Sequence, residues 1–90
     1  METIFLDGNK MTSKCEAHKY IKEVLNFPDY YGENLDALWD MLSVNSEMVS
    51  IFLLHEEELY ENLGEYGKLI VELFHEAADS NSTIQFFVIK

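Results

Sequence analysis

Ninety residues are enough for one domain with a real core and too few for two. Seventeen acids stand against six lysines and no arginine, a net charge of −11 that argues against nucleic acid or an anionic membrane as ligand. Hydrophobic residues make up 48% of the chain, which argues against disorder, and the single cysteine, Cys15, has no mate for a disulfide or a paired-cysteine metal motif.

In chain order, Thr3 to Leu6 reads as a short strand closed by the turn pair Asp7-Gly8. Ser13 and Glu16 have capping-box spacing, and Ala17, Tyr20, Ile21, Val24 and Leu25 then recur on one helical face. Asn26 suits a left-handed helix terminator, and Pro28 cannot continue a helix. Asn34 is a good cap for a second helix, in which Leu35, Leu38, Trp39 and Leu42 repeat at i, i+3, i+4 and i+7. The nearly all-apolar MVSIFLL, Met48 to Leu54, predicts a strand buried on both faces. A short acidic helix follows from His55 to Leu63, ending near Gly64. Tyr66, Leu69, Ile70, Leu73, Phe74 and Ala77 form the clearest helical stripe. Asp79 to Ser82 is polar turn chemistry, and Thr83 to Ile89 is the last strand.

No repeat, linker or low-complexity tract divides the chain, so residues 1–90 are expected to form a single α/β domain. Strands separated by helical crossovers are normally parallel, with right-handed connections. The expectation is a three-stranded parallel sheet packed with four helices, the first strand central (order 2-1-3) by analogy with doubly wound sheets. The opening METIFLDGNK has an acid at position 2 and only a short apolar run, unlike a secretory signal. With a free thiol and no apolar run of bilayer length, the expected address is the cytoplasm.

Charge is uneven along the chain. From Asp29 to Asp79 there are thirteen acids and one base, Lys68. Such a field speeds encounter with a basic partner, though acidic surfaces also serve solubility. Within this stretch, PDYYGENLDALWD (Pro28–Asp40) sets Tyr30, Tyr31, Gly32 and Asn34 before a helix that carries Asp36 and Asp40 one turn apart, with Trp39 beside them. Carboxylates four apart share a helix face and repel, which disfavours an isolated helix. The pair can meet arginine or lysine on a partner, serve as catalytic or magnesium-binding carboxylates, or simply form a solvated face. Tyrosine and tryptophan are enriched at interfaces but also dominate cores. His18 lies three residues from Cys15 with no further ligand motif, and neither His55 nor His75 has a neighbour that suggests catalysis. There is no GxSxG, phosphate-binding glycine loop or dinucleotide fingerprint. No catalytic residue, metal or cofactor is expected.

The block from Phe27 to Leu42, centred on Pro28 and Tyr30 to Asp40, closely resembles the barstar family, intracellular inhibitors of the extracellular ribonuclease barnase. Weaker similarity covers His18, Lys22 and Leu25, then Phe74-His75-Glu76-Ala77 and the final strand. The resemblance implies a barstar-like fold and a cytoplasmic ribonuclease inhibitor, an antitoxin or immunity protein, that plugs the nuclease's active site with the second helix and its preceding loop. It implies contacts from Tyr30, Tyr31, Gly32, Asn34, Leu35, Asp36, Trp39 and Asp40, the last at the position of a substrate phosphate, with Glu76 a peripheral acid. The partner is expected to be a basic, barnase-like extracellular ribonuclease, with no nucleic acid or membrane bound directly and a monomeric inhibitor. Val44 and Asn45 replace the family's glycine and tryptophan in the bordering loop, and Met41 and Thr83 stand where barstar has cysteines. A barstar-like domain that binds another basic partner or toxin therefore stays in view, as does a metal-dependent hydrolase using Asp36, Asp40 and Glu76.

Overall fold

Three strands and four amphipathic helices make up the computed structural model, which describes residues 2–90. β1 (Glu2–Asp7) leads through a short 3-10 turn to α1 (Lys14–Leu25). After α2 (Leu35–Ser43) come β2 (Val49–Leu54), α3 (Glu56–Leu63), α4 (Glu65–Ser80) and β3 (Ile84–Val88). The local signals act as their chemistry dictates. Ser13 Oγ accepts from Glu16 N (3.1 Å), and Asn26 ends α1 in the left-handed region at φ 56°. α4 runs further than the polar composition of Asp79 and Ser80 predicts. The Ser80 hydroxyl donates back to Glu76 O (2.9 Å), and Asn81 N donates to Ala77 O (2.9 Å), so the last turn stays closed.

All strand pairs are parallel, and the order is β1-β2-β3, not the expected 2-1-3. Hydrophobicity explains the correction. A central strand is covered by neighbours along both edges, and β2 (VSIFLL) is the strand with four of six residues buried and none exposed. β1 and β3 alternate buried and exposed positions, as edge strands with one free face do. Strand order β1-β2-β3 needs two crossovers that advance in the same direction, and crossovers of the usual right-handed kind then put their helices on one side of the sheet. That side carries the matched rows Ile4–Ile51–Phe86 and Leu6–Leu53–Val88. The other side carries Phe5–Phe52–Phe87, whose rings stack at 5.4 and 5.1 Å. β2 is therefore shielded on its second face by flanking phenylalanines and not by a helix.

The core joins the covered rows to Met11, Ala17, Ile21, Leu38, Leu42, Leu59, Ile70 and Phe74, all buried. Gly8 is required where the chain leaves β1. A Cβ there would lie 2.1 Å from His55 O, inside van der Waals contact. The same corner is tied by the Asp7 carboxylate, which accepts from Asn9 N (2.9 Å) and meets His55 Nδ1 (2.8 Å). Among the described residues, no helix is long and apolar enough to cross a membrane.

Candidate functional site

The loop between α1 and α2 is held from both ends. Phe27 N donates to Lys22 O (2.9 Å), and Tyr31 N donates to Pro28 O (3.0 Å), which turns the chain back on itself. Two adjacent tyrosines then part company. Tyr30 is 81% exposed, whereas Tyr31 is 5% exposed with its ring 4.9 Å from that of Phe27. Tyr30 lies inside the turn closed by that bond and faces solvent, whereas Tyr31 follows it and anchors the loop in the core. Glu33 adopts φ 54°, a left-handed conformation that costs a side chain other than glycine or asparagine roughly 1–2 kcal/mol. It brings Asn34 into position to cap α2, its Oδ1 accepting from Ala37 N (2.8 Å) and its Nδ2 donating to Gly32 O (3.2 Å).

α2 buries Leu38 and Leu42 and thereby turns Asp36 and Asp40 to solvent on one face, as their four-residue spacing requires. Leu35 and Trp39 are half-buried between these faces. α4 lies alongside, and the two helices enclose an open groove of about 250 Å³ lined by Leu35, Asp36, Trp39, Leu69, Glu72, Leu73 and Glu76. The fold thus gathers Glu76 to Asp36 across a separation of forty residues, while Asp40 lies outside the groove on the same helix. None of Asp36, Asp40, Glu72 and Glu76 has a cationic partner among the described residues; the lysine pairs run to Asp29, Glu65 and Glu56 instead. No three His, Cys, Asp or Glu side chains among the described residues are grouped to hold a metal ion. The result is an exposed, uncompensated negative face with Tyr30 at one end and half-buried Trp39 within it.

Val44 and Asn45 follow α2 in different roles. Val44 is 74% exposed. The Asn45 amide is turned inward, donating to Glu47 O and to Thr83 Oγ1, each at 2.7 Å. Asn81 Nδ2 donates to Leu42 O and Asn45 O (both 3.0 Å), so the end of α2 is stitched to the end of α4. Sequence reasoning gave no role at this site to Leu69, a 46% exposed leucine on the groove, or to Asn81 and Thr83. Leu69 falls on the apolar stripe of α4, where periodicity alone reads as core. Nor did it single out His18 as part of this region. That side chain is buried, and its two ring nitrogens lie 2.7 Å from Tyr31 Oη and 2.6 Å from Tyr66 Oη. Nothing in the spacing of residues 18, 31 and 66 signals that meeting.

Burial is the main cause that lowers the His18 pKa from its ordinary 6.5, and the negative charge of Glu33 opposes it. Burial likewise pushes both tyrosines up, Tyr31 far beyond the usual phenol range with help from Tyr66 and Glu33, and Tyr66 more modestly. The cluster is therefore neutral at physiological pH, and the charge of this region resides on its exposed carboxylates.

Comparison with known proteins accords with this geometry. A family model described as "Barstar (barnase inhibitor)" matches residues 1–89. The chain is 36% identical over 80 residues to a Bacillus subtilis (strain 168) protein that bears the name "Putative ribonuclease inhibitor YrdF", a match covering 88% of each chain. With the model spanning nearly every residue and a relative of this similarity over most of both lengths, the chain belongs to the barstar family.

Proposed function

We propose that this protein is a cytoplasmic inhibitor of a secreted, basic ribonuclease of the barnase type, acting by occupation of the nuclease active site and without catalysis. The observation that carries the reading is the unpaired acidic face. Asp36 and Asp40 share the solvent side of α2, with Glu72 and Glu76 across the groove and, among the described residues, no lysine paired with any of them. A nuclease that stabilises phosphates with lysine and arginine would find in Asp36 and Asp40 two fixed acceptors in place of phosphate oxygens. Tyr30 supplies an exposed aromatic ring for a base-binding surface. The net charge of −11 steers a basic partner inward and sets the association rate, and desolvated charge pairs at the centre set the dissociation rate.

The test is titration of a barnase-type ribonuclease with this protein while RNA cleavage is followed. Stoichiometric inhibition is expected, with Asp40→Ala accelerating dissociation far more than it slows association. Cleavage at an undiminished rate in the presence of excess inhibitor rejects the reading. A second reading, a barstar-like domain that holds another basic partner or toxin, is favoured by exposed Val44 and inward-turned Asn45 beside the face. Capture of a non-nuclease protein that is released by Asp36→Asn and Asp40→Asn would decide for it.

A further inference from the structure

Two polar side chains are buried among the described residues, Ser50 and His18. Ser50 is accounted for by Gln85 on the neighbouring strand. His18 is not part of any exposed face, yet it joins three separate segments: α1, the loop through Tyr31, and the first turn of α4 through Tyr66.

The hydrogen bonding has a single direction that leaves no donor stranded. A neutral imidazole offers one N–H and one bare nitrogen. Tyr31 Oη is buried and has no other hydrogen-bond partner among the described residues, so its proton must go to Nδ1. Nε2 then carries the hydrogen and donates to Tyr66 Oη, which is half-exposed and can donate to water. Lys14 Nζ sits 4.7 Å above the Tyr66 ring and steadies it from α1. Both tyrosine rings also pack on the imidazole, with centroids 5.9 Å away. A protonated imidazole would donate twice and leave the Tyr31 hydroxyl proton with nowhere to go.

We propose that His18 is a positioning residue, a strut that fixes Tyr31 to Tyr66 and so holds the Pro28–Asn34 loop, with Tyr30 on its outer side, in the shape that meets the partner. The inference rests on the inhibitor reading for its consequence but not for its geometry. Tyr66 does not line the acidic groove, so its hydroxyl can be removed without altering the proposed contact face. Asparagine places an amide near the Nδ1 position and keeps the reach toward Tyr31, whereas glutamine places it near Nε2 and keeps the reach toward Tyr66.

The experiment measures amide hydrogen exchange of the free protein and dissociation from a barnase-type ribonuclease, for the natural chain, Tyr66→Phe, His18→Asn and His18→Gln. Exchange within residues 28–34 is expected to quicken most in His18→Gln and less in His18→Asn and Tyr66→Phe, while the central strand Val49–Leu54 keeps its protection. Dissociation should accelerate in the same order, by roughly three- to tenfold for His18→Gln, the scale of one lost hydrogen bond. Loop exchange at the natural rate in all three variants overturns the proposal. So does acceleration spread equally into residues 49–54, which would mark general loss of stability. If the natural chain fails to bind the ribonuclease, the proposed function falls, and the exchange data alone decide whether the strut exists.

Discussion

At the scale of single residues, two positions carry distinct physical signatures. Burial holds the folded pKa of His18 below its ordinary 6.5 despite the opposing charge of Glu33, with Tyr31 and Tyr66 as its uncharged neighbours and Lys14 beyond Tyr66. An unfolded chain therefore binds a proton at pH values where the folded one does not. Stability from this group is complete above 6.5 and is lost as pH falls from 6.5 toward the lowered folded value. Denaturant melts across that window should show the decline, and His18→Asn should flatten it. Asp7 acts in a lower, separate window. Partial burial pushes its carboxyl up, but hydrogen bonds from His55 and Asn9 and the charges of His55 and Lys10 outweigh it and hold the pKa below the ordinary 3.8. Its contribution is present above that value and disappears as the carboxylate protonates. Glu33 is the second signature. At φ 54°, Glu33→Gly should leave stability within about 1 kcal/mol of the natural chain, while a β-branched residue in Glu33→Val should cost about 1–3 kcal/mol in chemical denaturation.

At the scale of elements, α2 depends on its entry. It is only nine residues long and carries two acids one turn apart, so intrinsic helix propensity cannot sustain it. Packing of Leu38 and Leu42 and the Asn34 cap supply what is missing. Removing the cap in Asn34→Ala should cost about 1 kcal/mol of stability. Because Asn34 Nδ2 also donates to Gly32 O, the same change should loosen the loop and shorten the lifetime of the proposed complex with a ribonuclease. Leu38→Ala is the contrasting case. Its side chain is fully buried, and an unfilled cavity there should cost about 2–5 kcal/mol in a denaturant titration without a change in the charge of the face.

At the scale of the whole molecule, charge and sheet topology decide how the face is presented. Thirteen of the seventeen acids lie between Asp29 and Asp79, the span that supplies both walls of the groove. Association with a basic ribonuclease should slow steeply as salt rises, because a Debye length near 10 Å at 0.1 M screens steering at a distance. Dissociation, set by contacts already desolvated, should change far less. A salt-independent association rate in stopped-flow mixing would contradict the steering argument. The Phe5–Phe52–Phe87 row lies on the sheet face opposite the core rows, and none of its residues lines the acidic groove between α2 and α4.

Element types, most of their ends, the acidic bias and the shared face of Asp36 and Asp40 are local properties. They follow from side-chain periodicity, caps and spacing within one segment, and the sequence alone determined them. Family resemblance through Pro28–Asp40 added the expected role. What only tertiary structure decided depends on contacts between segments far apart in the chain. Strand order turned on which strand could lose water along both edges, and β2, not β1, had the composition for it. The fates of Tyr30 and Tyr31, identical in type and adjacent in sequence, parted because one ring met Phe27 and His18 while the other met solvent. Likewise the gathering of Glu76 to Asp36, and the junction of His18 with Tyr31 and Tyr66, required long-range packing that no local pattern encodes.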